Sequence, residues 1–409
     1  MQQILKHIKG DKVIWSIVLL LSLFGLLVVY SATGTLAYKI DKNASFFMVK
    51  QLALLVLGAG IIFFVHKINY AKFSKISVLM YLVSIPLLLY TMLFGSDINE
   101  GSRWITIPII KVTFQSSDFA KLALFMYLAR LLSIKQNVIK DFRKGFLPVL
   151  VPVLVICGLI APENLSTALL LGATCCILFY IGRVNVKHIS ILAFAGFIGI
   201  AILIGVSMAY DFGRGATWVK RIEDFTGKSK NGEKKPEAFQ VQQAKIAIAN
   251  GGIAGRGPGN SQQRNFLPHP YSDFIYAIII EEYGLIGGAA IILLYLLFLW
   301  RCILLFRRCP YAFGAFLAVG LSITLVFQAM LNMAVAVHLV PVTGLTLPMV
   351  SMGGSSILFT SVSFGIILSI SRYVDEMEGG KKLNDKKETS KLFVQKGANT
   401  KTNNPIATA

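Results

Sequence analysis

The chain predicts an all-α integral membrane protein of about ten transmembrane helices, with a large extracytoplasmic loop between helices 7 and 8. Three observations predict it. Hydrophobic residues fill 55% of the 409 positions and charged residues 15%, with a mean hydropathy of +0.67, far from the range of soluble domains. Apolar runs long enough to cross a bilayer core of about 30 Å recur along the chain. Between them, Lys and Arg gather in alternate connections.

Ten runs qualify, near residues 13–32, 48–66, 77–95, 118–134, 146–161, 164–182, 189–209, 273–300, 311–337 and 345–371. The fourth, fifth and sixth are the weakest. The fourth carries Asp118, Lys121 and Arg130, and the fifth is short and holds Pro148 and Pro152, so both need protein neighbours for their polar groups. Lys6, Lys9, Lys12, Lys67, Lys72, Lys75, Arg301, Arg307 and Arg308 fall on one side, against Lys39, Lys42, Lys50, Arg103 and Lys111 in the short loops of the other. Positive short loops stay inside, so both termini are expected in the cytoplasm and the loop 210–272 outside. Residues 1–12 then form a cytoplasmic N-terminus, 13–372 the membrane domain and 373–409 a disordered, Lys-rich cytoplasmic tail.

The first apolar run lacks a small-residue cleavage site, so a cleaved signal peptide is not expected. The five cysteines sit in or beside apolar runs at spacings that match no metal motif, as small apolar fillers do. A formal charge of +20 suits contact with anionic lipid headgroups, although topology alone produces the same bias. Membrane lipids are expected neighbours and nucleic acid is not an expected partner.

Asp273 carries the most chemical weight. It lies where the long polar loop meets an apolar run, in FLPHPYSDFIYAIIIEEYGLIGG, and an ionised carboxylate at the edge of hydrocarbon is costly unless something uses it. Its structural alternative is a helix N-cap. Around it, residues 211–272 hold ten Lys or Arg against five acids, which would attract an anionic group. Pro236 to Asn250 predicts an amphipathic helix along the membrane surface with Phe239, Ala244, Ile246 and Ile248 on one face. The run GGIAGRGPGNSQQRN after it cannot be a regular helix. It is either a flexible linker or a place where glycines let backbone amides approach a phosphate while Arg256 and Arg264 supply charge.

Four other clusters stand out. In GSRWI, Arg103 and Trp104 are an interfacial anchor or a phosphate contact. In FQSSDFAKL, Asp118 and Lys121 lie three apart on a helix face, as a structural ion pair or as groups that orient substrate. PENLSTA, from Pro162, is best read as a tight turn with a helix cap. LVPVTGLTLPMVSMGGSS, with Ser355 and Ser356, combines Pro and small residues that would explain close helix packing, and its density of special residues suggests a cavity wall.

Together these motifs make the chain resemble the SEDS proteins of bacteria, the polytopic polysaccharide polymerases of shape, elongation, division and sporulation. The likeness spans about residues 12–372 and rests on GSRWI, FQSSDFAKL, NGGIAGRGPGNSQQRNFLPHPYSDFIYAIIIEEYG and PVTGLTLPMVSMGGSS. It implies a ten-helix fold, peptidoglycan glycosyltransferase activity on lipid II and one essential acid at the end of the large outer loop, here Asp273. Gln328, Asn332 and IILSISR look more like the division branch, the FtsW type, than the elongation branch, the RodA type. The resemblance also implies a septal location in the bacterial inner membrane, with a class B penicillin-binding transpeptidase and septal division proteins as partners. The chain departs from the family pattern at Gln115-Ser116-Ser117-Asp118, where Gln-Pro-Ser-Glu is usual, at Pro162-Glu163-Asn164, at His269 to Ser272 and at Met352.

With lipid II as donor, an α-linked diphosphate becomes a β-1,4 glycan, so the anomeric centre inverts in one displacement and one base suffices. Asp273 would take the acceptor hydroxyl's proton, and its apolar neighbours Phe274 and Ile275 would raise its basicity. Arg103, Lys121, Arg221, Arg256 and Arg264 are the nominated cations for the leaving diphosphate, with Asp118, Glu281, Ser355 and Ser356 as further substrate contacts. A divalent Mg or Mn held by Asp273 is an alternative, although no His or acid stands at ligand spacing beside it to close a protein metal site. A lipid II flippase, a RodA-type elongation polymerase and a non-catalytic division scaffold are the rival readings.

Overall fold

Apolar sequence away from water must satisfy its own backbone, and a helix does so within the segment. The computed structural model describes residues 9–34, 36, 44–95, 104–107, 112–210, 215–227, 238–268 and 270–401. Helices α1 (Lys12–Ala32), α2 (Ala44–Lys67), α3 (Tyr70–Phe94), α4 (Ser116–Lys135), α5 (Leu147–Ile160), α6 (Leu165–Ile181) and α7 (Val186–Tyr210) build the first part. The amphipathic helix α8 (Gly215–Thr226) and the helix α9 (Phe239–Gly251) follow, then α10 (Ile275–Arg308), α11 (Ala312–Ala336) and α12 (Gly354–Lys401). Eight of the described helices are long and apolar enough to cross a membrane, which makes this a multi-pass membrane protein. The helix α5 reaches that length with the π-helical turn Phe142–Phe146 that leads into it, whereas α4 is absent from the set for its charges and α6 for its length of 17 residues.

Local caps set several starts. The Asp11 carboxylate accepts from Val13 N at 2.8 Å, Asn69 from Ala71 N at 3.0 Å and Asn164 from Thr167 N at 3.2 Å, so the turn and cap expected at PENLSTA are present. The charges of α4 are met by protein: Asp118 and Lys121 pair at 2.7 Å, and Arg130 Nη1 donates to the Ser74 carbonyl at 2.7 Å. At the end of the bundle where α1 begins, Arg301 Nε donates to Asp11 Oδ2 at 2.7 Å and Asp11 N donates to Ser371 Oγ at 2.8 Å, tying α1, α10 and α12 together.

Several expectations need correction. The fold is mostly helical rather than all-α: Trp104–Ile107 (β1) and Val112–Gln115 (β2) form an antiparallel hairpin, with Trp104 opposite Gln115. The last membrane segment begins as a helix only at Gly354, because residues 337–353 form an irregular stretch whose backbone groups are taken by side chains. The last described helix, α12, runs on from the membrane segment as far as Lys401. The helix expected after Pro236 exists as α9, but its buried face is Val241, Ala244, Ala247 and Gly251, packed on α10, while Phe239 and Ile246 are exposed.

The glycine-rich run is ordered against α10 rather than loosely linking two segments. It docks on a break in α10 at Gly284, whose φ of 69° is open to glycine at little cost. Arg256 N and Gly257 N donate to the carbonyls of Glu281 and Glu282 at 2.9 Å each, and Leu285 N donates to Gly252 O at 3.0 Å. A side chain on Gly284 would place Cβ 2.1 Å from the Ile253 oxygen, so the two backbones meet only because both strips are bare.

Candidate active site

Asp273 sits on the turn that leads into α10, half-buried, with the next residues Phe274 and Ile275 sunk in the core. It does not cap the helix: the N-cap position is Phe274, without a side-chain cap bond. Instead three successive carbonyls of this turn are gripped from the irregular stretch 337–353 and from α11. Met352 N donates to Tyr271 O at 2.9 Å, Ser351 Oγ to Ser272 O at 2.8 Å and Asn332 Nδ2 to Asp273 O at 3.1 Å. Asn332 also donates to Leu345 O at 2.7 Å, so one amide holds both walls.

The carboxylate accepts from Ser272 Oγ at 2.9 Å on Oδ1, while a Cβ placed on Gly344 would stand 3.8 Å from Oδ2. Gly344, with φ of 71°, thus turns the chain beside the acid without covering it. Burial first, and the Asp273 charge second, push the Tyr271 phenol above its ordinary 10.0.

One helical turn from Asn332, Gln328 continues the polar face of α11. Its Nε2 donates to Thr346 O at 2.8 Å and its Oε1 accepts from Lys121 Nζ at 3.2 Å. Thr346 Oγ1 in turn lies 3.2 Å from Ser356 Oγ. Asp118 and Lys121 border a cavity of only about 30 Å³, room for a water molecule and not for a diphosphate, and the buried Oδ2 of Asp118 has no partner there. The pair expected from the spacing is present, and it reaches the 337–353 wall through Gln328 rather than by touching open space.

The other nominated residues separate. Glu281, with no exposed surface, accepts from Ser261 Oγ, from Gln262 N at 3.2 Å and from Gln263 N at 3.2 Å, so it staples the loop ahead of Asp273 instead of lining a cavity. Glu282 takes the Ser31 hydroxyl, and Arg264 Nη1 donates to that same Ser31 at 3.1 Å on the carbonyl and 3.0 Å on the hydroxyl. Arg264 is therefore held against α1, and Arg256 is exposed on the glycine joint. Ser355 is buried and accepts from Gln115 N at 3.1 Å, fixing the β hairpin to α12. Arg221 lines two cavities that share Pro341 and Val342, close to Gly344 in the chain. Arg103 and His269 lie outside the described residues. Among the described residues no group of three His, Cys, Asp or Glu is placed to hold a metal ion.

Sequence reading missed the clamp made by Asn332 and Ser351 and the whole of α8. The available signal for the first was two amides, Gln328 and Asn332, four apart on an otherwise apolar helix.

The model of the cell cycle proteins that groups FtsW, RodA and SpoVE matches residues 11–376. The chain belongs to the FtsW/RodA/SpoVE family. Its relatives include the stage V sporulation protein E of Bacillus subtilis, 35% identical over 90% of this chain and 98% of that one. A probable peptidoglycan glycosyltransferase FtsW of the same organism is 33% identical over 90% of this chain and 92% of its own. Among solved structures, the rod shape determining protein RodA of Thermus thermophilus superposes with a TM-score of 0.64 at 21% identity, over 89% of this chain and 97% of that chain. A chain of a peptidoglycan synthase complex coordinating polymerization and crosslinking gives 0.67 at 23%, over 89% and 98%. At those identities the likeness establishes the SEDS-type fold. The division and sporulation branches of the family are both among the relatives.

Proposed function

We propose that this family member is a peptidoglycan glycosyltransferase that polymerises lipid II into β-1,4 glycan strands by inverting displacement, with Asp273 as general base. What supports this most directly is the setting of Asp273: a half-buried carboxylate on a turn held at three successive carbonyls by Met352, Ser351 and Asn332, with Gly344 turning the chain beside its Oδ2. A base must be held still to within a hydrogen bond of the proton it removes, and such a clamp does so. Relatives named as probable peptidoglycan glycosyltransferases, 32% identical over 88% of this chain, support the substrate class.

In this scheme all ten apolar segments span the bilayer, α4 and α6 included, since α4 is wrapped by protein along Ala123, Leu124, Phe125, Leu128 and Ala129. Both termini are cytoplasmic and Asp273 faces outward, at the septum. Arg221 stabilises the leaving diphosphate, and Lys121, acting through Gln328, stiffens the wall at Thr346. A class B transpeptidase and septal proteins are the partners. The 35% identity to a sporulation protein favours one second reading, the same polymerisation within the sporulation branch.

Purified protein supplied with lipid II should yield glycan chains on a gel, and Asp273→Asn should reduce the rate by about 10²–10⁴-fold, the usual worth of a general base. Undiminished polymer would remove the base assignment. A divalent cation on Asp273 would need the same oxygens as the base, so activity that survives chelation but not Asp273→Asn separates the two roles. Lipid movement without polymer would favour the flippase reading, and full function in cells with Asp273→Asn the scaffold.

A further inference from the structure

At the end of the bundle where α1 begins, far from Asp273, a cavity of about 310 Å³ lies between Gly10 to Val13, the last turns of α10 and the part of α12 around Ser371. Its volume falls at the lower end of the range of about 300–1,000 Å³ typical of ligand sites. Leu304, Leu305 and Val374 give it an apolar floor. Three cations, Lys12, Arg301 and Arg308, line it together with two acids, Asp11 and Asp375.

These charges are not equivalent. Asp11 is fully engaged, since its Oδ1 accepts from Val13 N at 2.8 Å and its Oδ2 from Arg301 Nε at 2.7 Å, so that pair cancels. Lys12 and Arg308 are exposed, and neither side chain closes an ion pair among the described residues. Asp375 stands near enough to Arg308 to feel its charge without pairing with it. With Asp375 set against one cation, the rim keeps a surplus of one positive charge.

Two outward stripes run from these cations into the apolar belt. On α1, Lys12 is followed at helical spacing by Leu19 and Leu23, and on α10, Arg308 is preceded by Trp300 and Leu293, all four of them exposed. An exposed Trp two turns from a terminal Arg marks the membrane interface, where aromatic rings and cationic heads sit at headgroup level. Because α1 packs on α10 and both cations line one cavity, the stripes leave it side by side.

We infer that this cavity binds the headgroup of an anionic phospholipid, its phosphodiester held between Lys12 and Arg308 and its acyl chains descending along the two stripes. The match is one of charge and geometry. One surplus positive charge meets one phosphodiester charge, ammonium and guanidinium donors meet its oxygens, and the exposed leucines begin where the glycerol backbone ends. A zwitterionic lipid brings no net charge to that surplus, and a soluble phosphate leaves the stripes unused. Lipid bound here touches α1, α10 and α12, the same three helices that Asp11 joins, and so adds a clamp at this end of the bundle. The site goes beyond the proposed reaction and does not depend on it.

Native mass spectrometry of the delipidated full chain in detergent, titrated with dioleoylphosphatidylglycerol, dioleoylphosphatidylcholine or glycerol 1-phosphate, tests it. Phosphatidylglycerol should bind in preference to the other two. Lys12→Gln and Arg308→Gln should each weaken it about tenfold, equivalent to about 1.4 kcal/mol, and leave phosphatidylcholine unchanged. Lys140→Gln removes an exposed cation at the same end of the bundle but outside the cavity, and should leave the affinity where it was. Saturating phosphatidylglycerol should also raise the thermal midpoint of the parent more than that of the Lys12→Gln, Arg308→Gln double variant. Equal binding of phosphatidylcholine or of glycerol 1-phosphate overturns the assignment. So does a loss in Lys140→Gln as large as in Arg308→Gln, which would reduce the effect to diffuse attraction between basic loops and any anionic surface.

Discussion

The two acidic places on α10 and its approach differ in what their oxygens do. Glu281 and Glu282 lie deep in the helix, with Glu281 fully buried and receiving a hydroxyl and two backbone N–H groups from the Ser261–Gln263 loop. Asp273, two turns earlier, is half-buried, with its main-chain carbonyl held by Asn332 and its carboxylate accepting from Ser272 Oγ. A fully buried carboxylate ringed by loop donors is a structural staple, and one that keeps exposed surface on an anchored turn is equipped for chemistry. Net charge and distance from the membrane edge would not have separated them.

The largest effect should therefore come from Asp273→Asn, which abolishes polymerisation while the thermal midpoint in detergent stays close to that of the parent. A fall in midpoint as large as that of a core variant would place Asp273 with the staples. Glu281→Ala is the converse. It leaves two buried donors, Ser261 Oγ and Gln263 N, without that acceptor, at about 1–3 kcal/mol each, and frees the part-buried Gln262 N as well, so the protein should lose stability outright and yield poorly on purification. A stable Glu281→Ala protein with normal midpoint would break the contrast.

Asn332→Ala falls between the two. Its amide joins the Asp273 carbonyl to the Leu345 carbonyl, and losing both bonds should cost about 1–3 kcal/mol. Because the base is loosened rather than removed, kcat should drop by about tenfold with a smaller change in KM, a displacement effect rather than a loss of the reacting group.

The mildest test concerns a third acid, at the opposite end of the bundle. Burial, then the nearby Asp11 and Glu378 charges, raise the Asp375 carboxyl above its ordinary 3.8. The folded state thus binds this proton more tightly than the unfolded chain, so its contribution is most favourable at low pH. That contribution declines as pH climbs from near 3.8 through the raised value. Asp375→Asn should leave the midpoint at neutral pH unchanged or slightly higher and flatten its acid dependence, as thermal melts across pH would show. A marked loss at neutral pH would make Asp375 a staple like Glu281.

Much of this was legible in the residues. The cost of Asp273 at a hydrocarbon edge, the three-residue spacing of Asp118 and Lys121, and the cap at Asn164 are local facts, and local facts survive folding. The buried face of α9 was not legible, because small residues such as Ala244 and Ala247 pack closely against α10 while the larger Phe239 and Ile246 stay outside. Nor was the role of the glycine run, since bare backbone suits a linker, an anion or another backbone equally well. Only the break at Gly284 decides among them.

By itself, the sequence determined a polytopic membrane chain, where its apolar helices lie and which acid stands at their edge, because hydropathy and charge act over neighbouring residues. The tertiary structure alone decided that Asn332, Ser351 and Met352 close on the turn before α10, that Lys121 speaks to this wall through Gln328, and that Arg221 sits between two cavities. Those contacts join residues dozens of positions apart, and their partners are chosen by how the helices pack, which no local pattern encodes.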